Sequence, residues 1–238
     1  MAPAAFAPDA GRGSWGLTMS TSTLTDWLRH PLAEALLRFN LLPSMWMHPR
    51  RHGAPDLAGL KALPALHRHR SAALLKELGL DPVMRLDDPA LPLAMLPAAH
   101  FDRLLILLGA ALNAPHIRRT IARDDLARLK DTLGDEALAV TRTPAAAALA
   151  GLPVAPDWEA GRAAELCRAW GEAVLAQAFD AAAPQVGRRA RLRLAPEADV
   201  LRAPLSAAGL QPERALHIAR DLLQLLEPAW ISSFPTTP

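Results

Sequence analysis

The side chains that could bind a metal or support catalysis are eight histidines, one cysteine and two pairs of adjacent aspartates. His67 and His69 stand two positions apart, so on a helix they point to different faces and cannot hold one ion together. His48 and His52 have the i, i+4 spacing of a helical metal pair, but Pro49 lies between them, where no helix is expected. The histidines therefore indicate surface or loop-packing positions and no metal site.

The cysteine and the paired aspartates give no catalytic pattern either. Cys167 lies among apolar residues on a predicted helix face, which is the position of a buried, unreactive thiol. Asp87-Asp88 and Asp124-Asp125 stand where loops and helix caps commonly use aspartate. The sequence contains no phosphate-binding loop, nucleophile elbow or dinucleotide fingerprint. We therefore expect a protein that is not an enzyme and that uses no metal or cofactor.

The composition is that of a globular protein with a substantial core. The chain has 238 residues, of which 51% are hydrophobic and 21% charged, and a formal net charge of only +2. A single cysteine excludes an internal disulfide and a cysteine-based zinc cluster, as is usual in the cytoplasm. The longest apolar run, Leu104 to Leu112, is well short of the roughly 20 residues that span a bilayer. We expect a cytoplasmic protein, and peripheral attachment to a membrane machine stays open.

The elements that position these side chains are predicted to be short helices. Twenty-two prolines fall mostly between segments with helical apolar periodicity, so that each helix should be sharply bounded. The predicted helices cover residues 24–42, 64–78, 101–112, 117–121, 124–133, 145–150, 157–179 and 212–227. Pro31 permits either one kinked helix or two short ones in the first segment. The helix at 101–112 is apolar around most of its circumference and should lie at the centre of the core.

These elements predict a mainly α fold, as one compact multi-helix domain of short, proline-bounded helices. The domain is expected to cover residues 23–230, between a flexible leader at 1–22 and a short, frayed tail at 231–238. A proline-rich segment at 143–157 leaves a subdivision of the domain open. Basic and apolar residues alternate toward the end of residues 188–194, which predicts one small β element there.

The least ordinary stretch of the sequence runs from Leu37 to Arg51. It places two aromatic residues, two prolines, an asparagine and a histidine between an amphipathic segment and a basic cluster. Phe39 is expected to close its helix onto the core. Trp46 has two open interpretations: an anchor for a binding partner, since aromatic residues are frequent hot spots, or a residue packed beneath the loop.

This stretch resembles the N-terminal region of the YscK/PscK (SctK-type) proteins of bacterial type III secretion systems. The matching residues are Arg38-Phe39-Asn40, Pro43, Trp46 and His48. A second block, Leu107 to Leu112 followed by Ile117-Arg118-Arg119, is similar to the family's apolar helix with Leu-Gly and its Ile-Arg-Arg. A third, Arg191 to Leu194, is similar to the segment before the family's last helix. The blocks keep their order over about residues 24–228.

The resemblance implies a non-enzymatic adaptor of the sorting platform, peripheral at the cytoplasmic face of the inner membrane. In that family the adaptor joins the cytoplasmic domain of the inner-membrane ring protein (SctD-type) to the pod protein of the SctQ type. It implies no nucleic-acid partner and no direct insertion into the membrane. The candidate partner-binding residues are Arg38, Asn40, Trp46, His48, Arg50, Arg51, Arg118 and Arg119.

A nucleic-acid-binding regulator is the alternative function. Its support is the cluster of Arg188, Arg189, Arg191 and Arg193, whose guanidinium groups could contact phosphates. No aromatic residue is interleaved with these arginines for base stacking, and no helix-turn-helix or RNP pattern is present. The competing interpretation of the cluster is the solvated face of an edge strand, where charge discourages aggregation.

Overall fold

The computed structural model describes residues 30–52 and 64–235, and the regular structure in these two ranges is helical, with no strand. The α-helices are α1 (Ala33–Leu41), α2 (Pro64–Glu77), α3 (Leu91–Ala94), α4 (Ala98–Leu112), α5 (Ala114–Arg119), α6 (Arg123–Val140), α7 (Pro144–Ala148), α8 (Ala163–Ala178), α9 (Pro184–Arg191), α10 (Ala198–Ala207), α11 (Pro212–Leu226) and α12 (Pro228–Ser232). Short 3-10 turns cover Pro43–Met45, Pro49–His52, Ala160–Arg162 and Phe179–Ala181. None of the helices in the described ranges is long and apolar enough to cross a membrane. The predicted leader, residues 1–22, lies outside these ranges.

The mainly α prediction is confirmed, and prolines mark helix starts. The helices α7, α9, α11 and α12 each begin at a proline, where the missing N–H would have no intrahelical partner in any case. Gly134 interrupts α6 with a φ of +79°, at the residue where a helix end was predicted, and helical structure then resumes as far as Val140. A left-handed φ of this kind is readily adopted only by glycine.

The small β element predicted for residues 188–194 is wrong. Helix α9 runs to Arg191, and the N–H groups of Arg193 and Leu194 continue with turn hydrogen bonds at 3.0 and 3.1 Å. The alternation failed as a signal because the arginines do not form a solvated face. Arg189 and Arg193 are only 2% and 6% exposed. Since basic and apolar positions are both buried here, the two-residue spacing does not separate an inner from an outer side.

The centre of the fold is the contact between α4 and α8, as the apolar character of α4 predicted. The two backbones approach each other through a reciprocal pair of glycines. A Cβ added to Gly109 would lie 1.8 Å from the carbonyl oxygen of Cys167, and one added to Gly171 would lie 1.9 Å from that of Leu105. Helices α6, α10 and α11 pack around this pair and complete the core.

Two segments that the sequence set apart from the helical body, residues 143–157 and the residues from 231 onward, pack onto the same core. Ala146 and Ala155, from the proline-rich segment at 143–157, belong to the buried cluster that contains α4 and α8. The segment from 231, expected to be a frayed tail, lies against the body as far as Phe234, which is 7% exposed. Just before it, the indole N–H of Trp230 donates to the carbonyl of Pro92 at 2.8 Å. These contacts hold the chain end near α3.

Candidate partner-binding cleft

The stretch from residue 37 to residue 51 folds as the end of α1 and two 3-10 turns, and its second turn is fixed to a distant part of the chain. The backbone N–H of His48 donates to the carbonyl of Leu192 at 2.8 Å. The guanidinium group of Arg51 donates to the carbonyl of Leu194 at 2.7 Å. The carbonyls that accept these bonds follow α9, where no further helical turn supplies N–H groups to them. They therefore fix the turn against the segment that follows α9.

A buried asparagine and two buried serines hold the other side of this stretch. The side-chain amide of Asn40 donates to the carbonyl of Val83 and accepts from its N–H, both at 2.7 Å. The hydroxyl oxygens of Ser44 and Ser71 are 2.8 Å apart, which ties the first 3-10 turn to α2. Asn40 is 5% exposed, so the pairing with a backbone amide and carbonyl gives it a structural role.

A cleft of about 530 Å³ opens between this turn, the start of α4 and α8. The charged, imidazole and aromatic side chains that line it are Arg38, Trp46, His48, His67, Phe101, Asp102, Arg168 and Arg193. Three arginines stand against one aspartate, so the lining carries an excess of two positive charges when both histidines are neutral. The cleft thus offers cationic groups beside aromatic surface.

Arg193 is the most buried charge of the cleft, with 6% of its surface exposed. One guanidinium nitrogen donates to the carbonyl of Ala94 at 2.7 Å, and the guanidinium carbon lies 3.7 Å from the centre of the Phe101 ring. No carboxylate of residues 30–52 or 64–235 forms an ion pair with it. Burial lowers the pKa of the Arg193 guanidinium to about 9. The direct contacts of this buried positive charge are therefore a carbonyl and a ring face, and the charge of Asp102 acts on it without forming an ion pair.

The other charges of the cleft are better compensated. Arg168 on α8 and Asp102 on α4 form an ion pair of 2.7 Å, which bridges the two central helices. The pKa of His48 is lowered, first by burial and then by the charge of Arg50, so its imidazole is neutral at pH 7. Its Nδ1 accepts the backbone N–H of Arg50 at 3.2 Å. Neutral imidazole offers an acceptor and a donor without adding charge.

A second cleft, of about 170 Å³, shares His48 and Arg168 with the first. Glu172 lines it and is 3% exposed. Its carboxylate accepts the backbone N–H of Ala195 at 2.7 Å. Burial raises the pKa of Glu172, and the hydrogen bond from Ala195 opposes that rise in pKa. This glutamate fixes the start of the segment that leads into α10.

Trp46 has surroundings that fit either of the interpretations that the sequence left open, and its role as a partner anchor stays a prediction. Its ring packs against Phe39, with the ring centres 6.1 Å apart and the planes tilted by 60°. It is partly buried at the margin of the core and also lines the large cleft. Phe39 itself is 2% exposed, which confirms its predicted place in the core. The exposed part of the Trp46 ring is thus available to a ligand of the cleft.

The structure separates the candidate partner-binding residues into three groups. Arg38, Trp46 and His48 line the large cleft, and Arg50 lines the small one, where it pairs with Glu197 at 3.1 Å. Arg51 and Asn40 are engaged in the internal hydrogen bonds described above. Arg118 and Arg119 are exposed on α5 and line neither cleft. A contact between any of the eight and a partner stays a prediction.

Apart from His67 on α2, four of the charged and aromatic residues that line the cleft were not predicted as partner-binding residues: Phe101, Asp102, Arg168 and Arg193. Phe101 has the spacing of a core residue, and Arg193 belongs to a run of arginines that is typical of a charged surface. They come from three separate segments, so no local motif contains them. Helix α4 begins three residues before Phe101. An acidic residue in the first turns of this apolar helix was the only local feature of the sequence that could have indicated the cleft.

Metal ligands do not cluster within the described ranges. No group of three or more histidine, cysteine, aspartate or glutamate side chains there is placed to hold an ion. Cys167 is 0% exposed, and burial raises the pKa of its thiol to about 12, so the thiol is neutral near pH 7. The burial of Cys167 expected from its helix position is confirmed, and its low reactivity stays a prediction.

Within the described ranges the protein is an all-helical body with a cationic and aromatic cleft on one side. A family model described as YOP proteins translocation protein K (YscK) matches residues 35–227, which include all but the first residues of α1 and extend through α11. The chain therefore belongs to the YscK family, and it is a type III secretion protein. No curated protein and no solved structure matches it.

Proposed function

We propose that the protein is a non-enzymatic adaptor of the type III secretion sorting platform. It is held at the cytoplasmic face of the inner membrane and joins the cytoplasmic domain of the SctD-type ring protein to the SctQ-type pod protein. The observation that carries the proposal is membership of the YscK family over residues 35–227. The resemblance described above supplies the two partners.

Of the nine large apolar side chains that are exposed among the described residues, five support this role, because they fall in two separate groups. Leu37, Leu41 and Met45 follow one another at a spacing of four along α1 and the next turn, and they are 38%, 55% and 53% exposed. Ile121 and Leu126, at the junction of α5 and α6, are 92% and 47% exposed. Exposed apolar side chains of this size are common at protein interfaces. An adaptor requires two such surfaces.

The second surface includes the candidate residues Arg118 and Arg119. In the described part of the chain neither arginine forms an ion pair, and Ile121 follows them on the connection to α6. Arginine beside a protruding aliphatic side chain is a frequent composition of binding hot spots. None of these three residues lines either cleft. The two surfaces can therefore be perturbed one at a time.

A pull-down against the SctD-type cytoplasmic domain and the SctQ-type protein tests the proposal, followed by size-exclusion chromatography of all three components. We expect both partners to bind and a ternary complex to elute. Leu41→Asp and Ile121→Asp should each raise the Kd for one of the two partners by at least about tenfold and leave the Kd for the other partner unchanged. Leu225→Asp is the matched control, because Leu225 is 71% exposed on α11. Binding to neither partner would exclude the adaptor function.

The alternative of nucleic-acid binding loses its support in the structure. Arg189 donates to the carbonyls of Asp81 and Leu80, and Arg193 lies inside the cleft. Arg191 forms an ion pair with an aspartate near the end of α8. Of the four arginines only Arg188 is exposed. Because three of the four side chains have internal partners, the cluster presents no common surface to a phosphate backbone.

A further inference from the structure

The cleft beside Trp46 contains one buried positive charge, that of Arg193, which has no ion-pair partner in the described part of the chain. Buried arginines are normally paired with a carboxylate, because desolvating a lone charge is costly. Arg191, two residues earlier, is half-buried and forms an ion pair with Asp180, whereas the buried Arg189 donates to three backbone carbonyls. Arg193 is 6% exposed and has only the Ala94 carbonyl and the face of the Phe101 ring. A carboxylate that entered the cleft would supply the missing partner.

The remaining charges around the cleft favour the same kind of ligand. Asp102 forms its ion pair with Arg168, and its charge only partly offsets the effect of burial on Arg193, whose pKa stays lowered. Ala98 also lines the cleft and is the first residue of α4, a helix of 15 residues without a side-chain cap. The N–H groups and the positive end of the macrodipole at such a helix start attract anions. Two independent features, a buried cation and an uncapped helix start, thus point into one cleft.

The apolar part of the lining determines what carries the carboxylate. Trp46, Met45 and Met47 border the cleft, and Met45 is 53% exposed. The exposed Leu37 and Leu41 extend this apolar surface along α1. A small inorganic anion would leave these side chains and most of a volume of about 530 Å³ in contact with water. A protein segment with an acidic and an apolar side chain would satisfy both parts of the lining.

We propose that this cleft binds a segment of a partner protein that presents an aspartate or glutamate next to a large apolar side chain. The carboxylate meets Arg193 and the start of α4, and the apolar side chain lies on Trp46 and Met45. The inference rests on the proposed adaptor function, since it takes the segment from one of the two platform partners. It adds the chemistry by which that partner is recognised.

The sign of a charge placed at Met45 tests the proposal. We expect Met45→Glu to weaken binding of one partner by about tenfold or more, because a negative charge at the cleft repels the acidic segment. Met45→Lys should keep or strengthen binding of the same partner. Met84→Glu is the matched control, since Met84 is a 43% exposed methionine that lines neither cleft. Kd values from isothermal titration calorimetry, with a thermal midpoint for each variant, give the comparison.

A purely apolar docking surface would give equal losses for Met45→Glu and Met45→Lys, and that result would overturn the proposal. Unchanged binding in both variants would overturn it as well. Fully retained binding of Met45→Lys together with loss in Met45→Glu would support it. The midpoints show whether a loss of binding reflects unfolding.

A pair of small probes tests the chemistry of the cleft without any partner. N-acetyl-leucine carries a carboxylate and an apolar side chain, and N-acetyl-leucine amide is its neutral counterpart. In an NMR titration the carboxylate should shift the backbone N–H of Ala98 and the side-chain N–H of Arg193, and the amide should not. No shift with either probe would overturn the proposal.

The two experiments separate failure of the cleft from failure of the adaptor function. If the carboxylate probe binds while neither platform protein binds the wild-type chain, the adaptor function is excluded and the preference of the cleft for a carboxylate stands. If the probe binds and partner binding does not depend on the sign of the charge at Met45, the cleft is only an adventitious anion site. That outcome refutes docking of a partner segment.

Discussion

Replacement of either glycine at the contact of α4 and α8 with alanine is expected to destabilise the protein severely. In Gly109→Ala the new methyl group would lie 1.8 Å from the carbonyl oxygen of Cys167, and real Cβ contacts are essentially never shorter than 3.0 Å. The obstructing atoms belong to backbone, so no side-chain rotation can relieve the overlap. The helices must therefore separate by at least about 1.2 Å, the difference between 3.0 and 1.8 Å.

The size of the effect follows from the packing that this separation disrupts. Overpacking of a core that can relax through side chains costs roughly 1–3 kcal/mol. Because backbone must move here, we expect Gly109→Ala to lower the free energy of unfolding by about 3 kcal/mol or more. In a chain of this length that corresponds to a fall in thermal midpoint of about 6–12 °C. Gly171→Ala should behave alike, with a double mutant less destabilised than the sum, because one methyl group already opens the contact.

Thermal and urea unfolding followed by far-ultraviolet circular dichroism measures these changes. Gly161→Ala is the matched control, because a Cβ at Gly161 would have no atom within 4 Å. We expect the control to stay within about 0.5 kcal/mol of the wild type, as surface substitutions usually do. A loss below about 1 kcal/mol in both Gly109→Ala and Gly171→Ala would refute the close backbone contact.

Three further predictions concern buried polar groups. Asn40→Ala leaves the N–H and C=O of Val83 without partners and should cost about 2–4 kcal/mol in urea unfolding; a role confined to partner binding would leave stability unchanged. Burial raises the folded-state pKa of Glu172, so protonation of this carboxyl group stabilises the folded protein. That stabilisation is fully present below the pKa of the unfolded chain and is lost as the pH rises through the pKa of the folded protein. Glu172→Gln should therefore be more stable than the wild type at pH 7 and converge with it at acidic pH, and equal pH dependence would contradict this. The Cys167 thiol, with a pKa of about 12, should react with Ellman's reagent at pH 8 only after denaturation, and rapid reaction of the native protein would contradict its burial.

The helical fold was predictable because its signals are local. Proline boundaries and apolar periodicity need only neighbouring residues, and α4 was recognised as central because it is apolar on nearly every side. The reciprocal contact of Gly109 and Gly171 was not predictable, because a glycine inside a helix has the same local pattern whether it faces solvent or another backbone. The two glycines lie far apart in sequence, and only the crossing of α4 and α8 gives them their role.

Only one side of the candidate cleft, the turn that contains Trp46 and His48, was predictable from the sequence. The turn with Trp46 and His48 was recognised because prolines and aromatic residues break the helical pattern. Arg193 was expected either to contact phosphates or to lie on the solvated face of an edge strand, and both interpretations place it at the surface. Its burial depends on Phe101 and the Ala94 carbonyl, about a hundred residues earlier in the chain, so spacing within residues 188–194 could not reveal it.

The cleft is a product of the tertiary fold, and this links the stability of the core to binding. Its ion pair joins α4 and α8, where Asp102 meets Arg168 at 2.7 Å. The same two helices are held at their closest approach by Gly109 and Gly171. A separation of more than 1 Å at that crossing exceeds what an ion pair at hydrogen-bonding distance tolerates without breaking. Breaking this pair would leave Asp102, whose charge already raises the pKa of Arg193, without Arg168 as its partner.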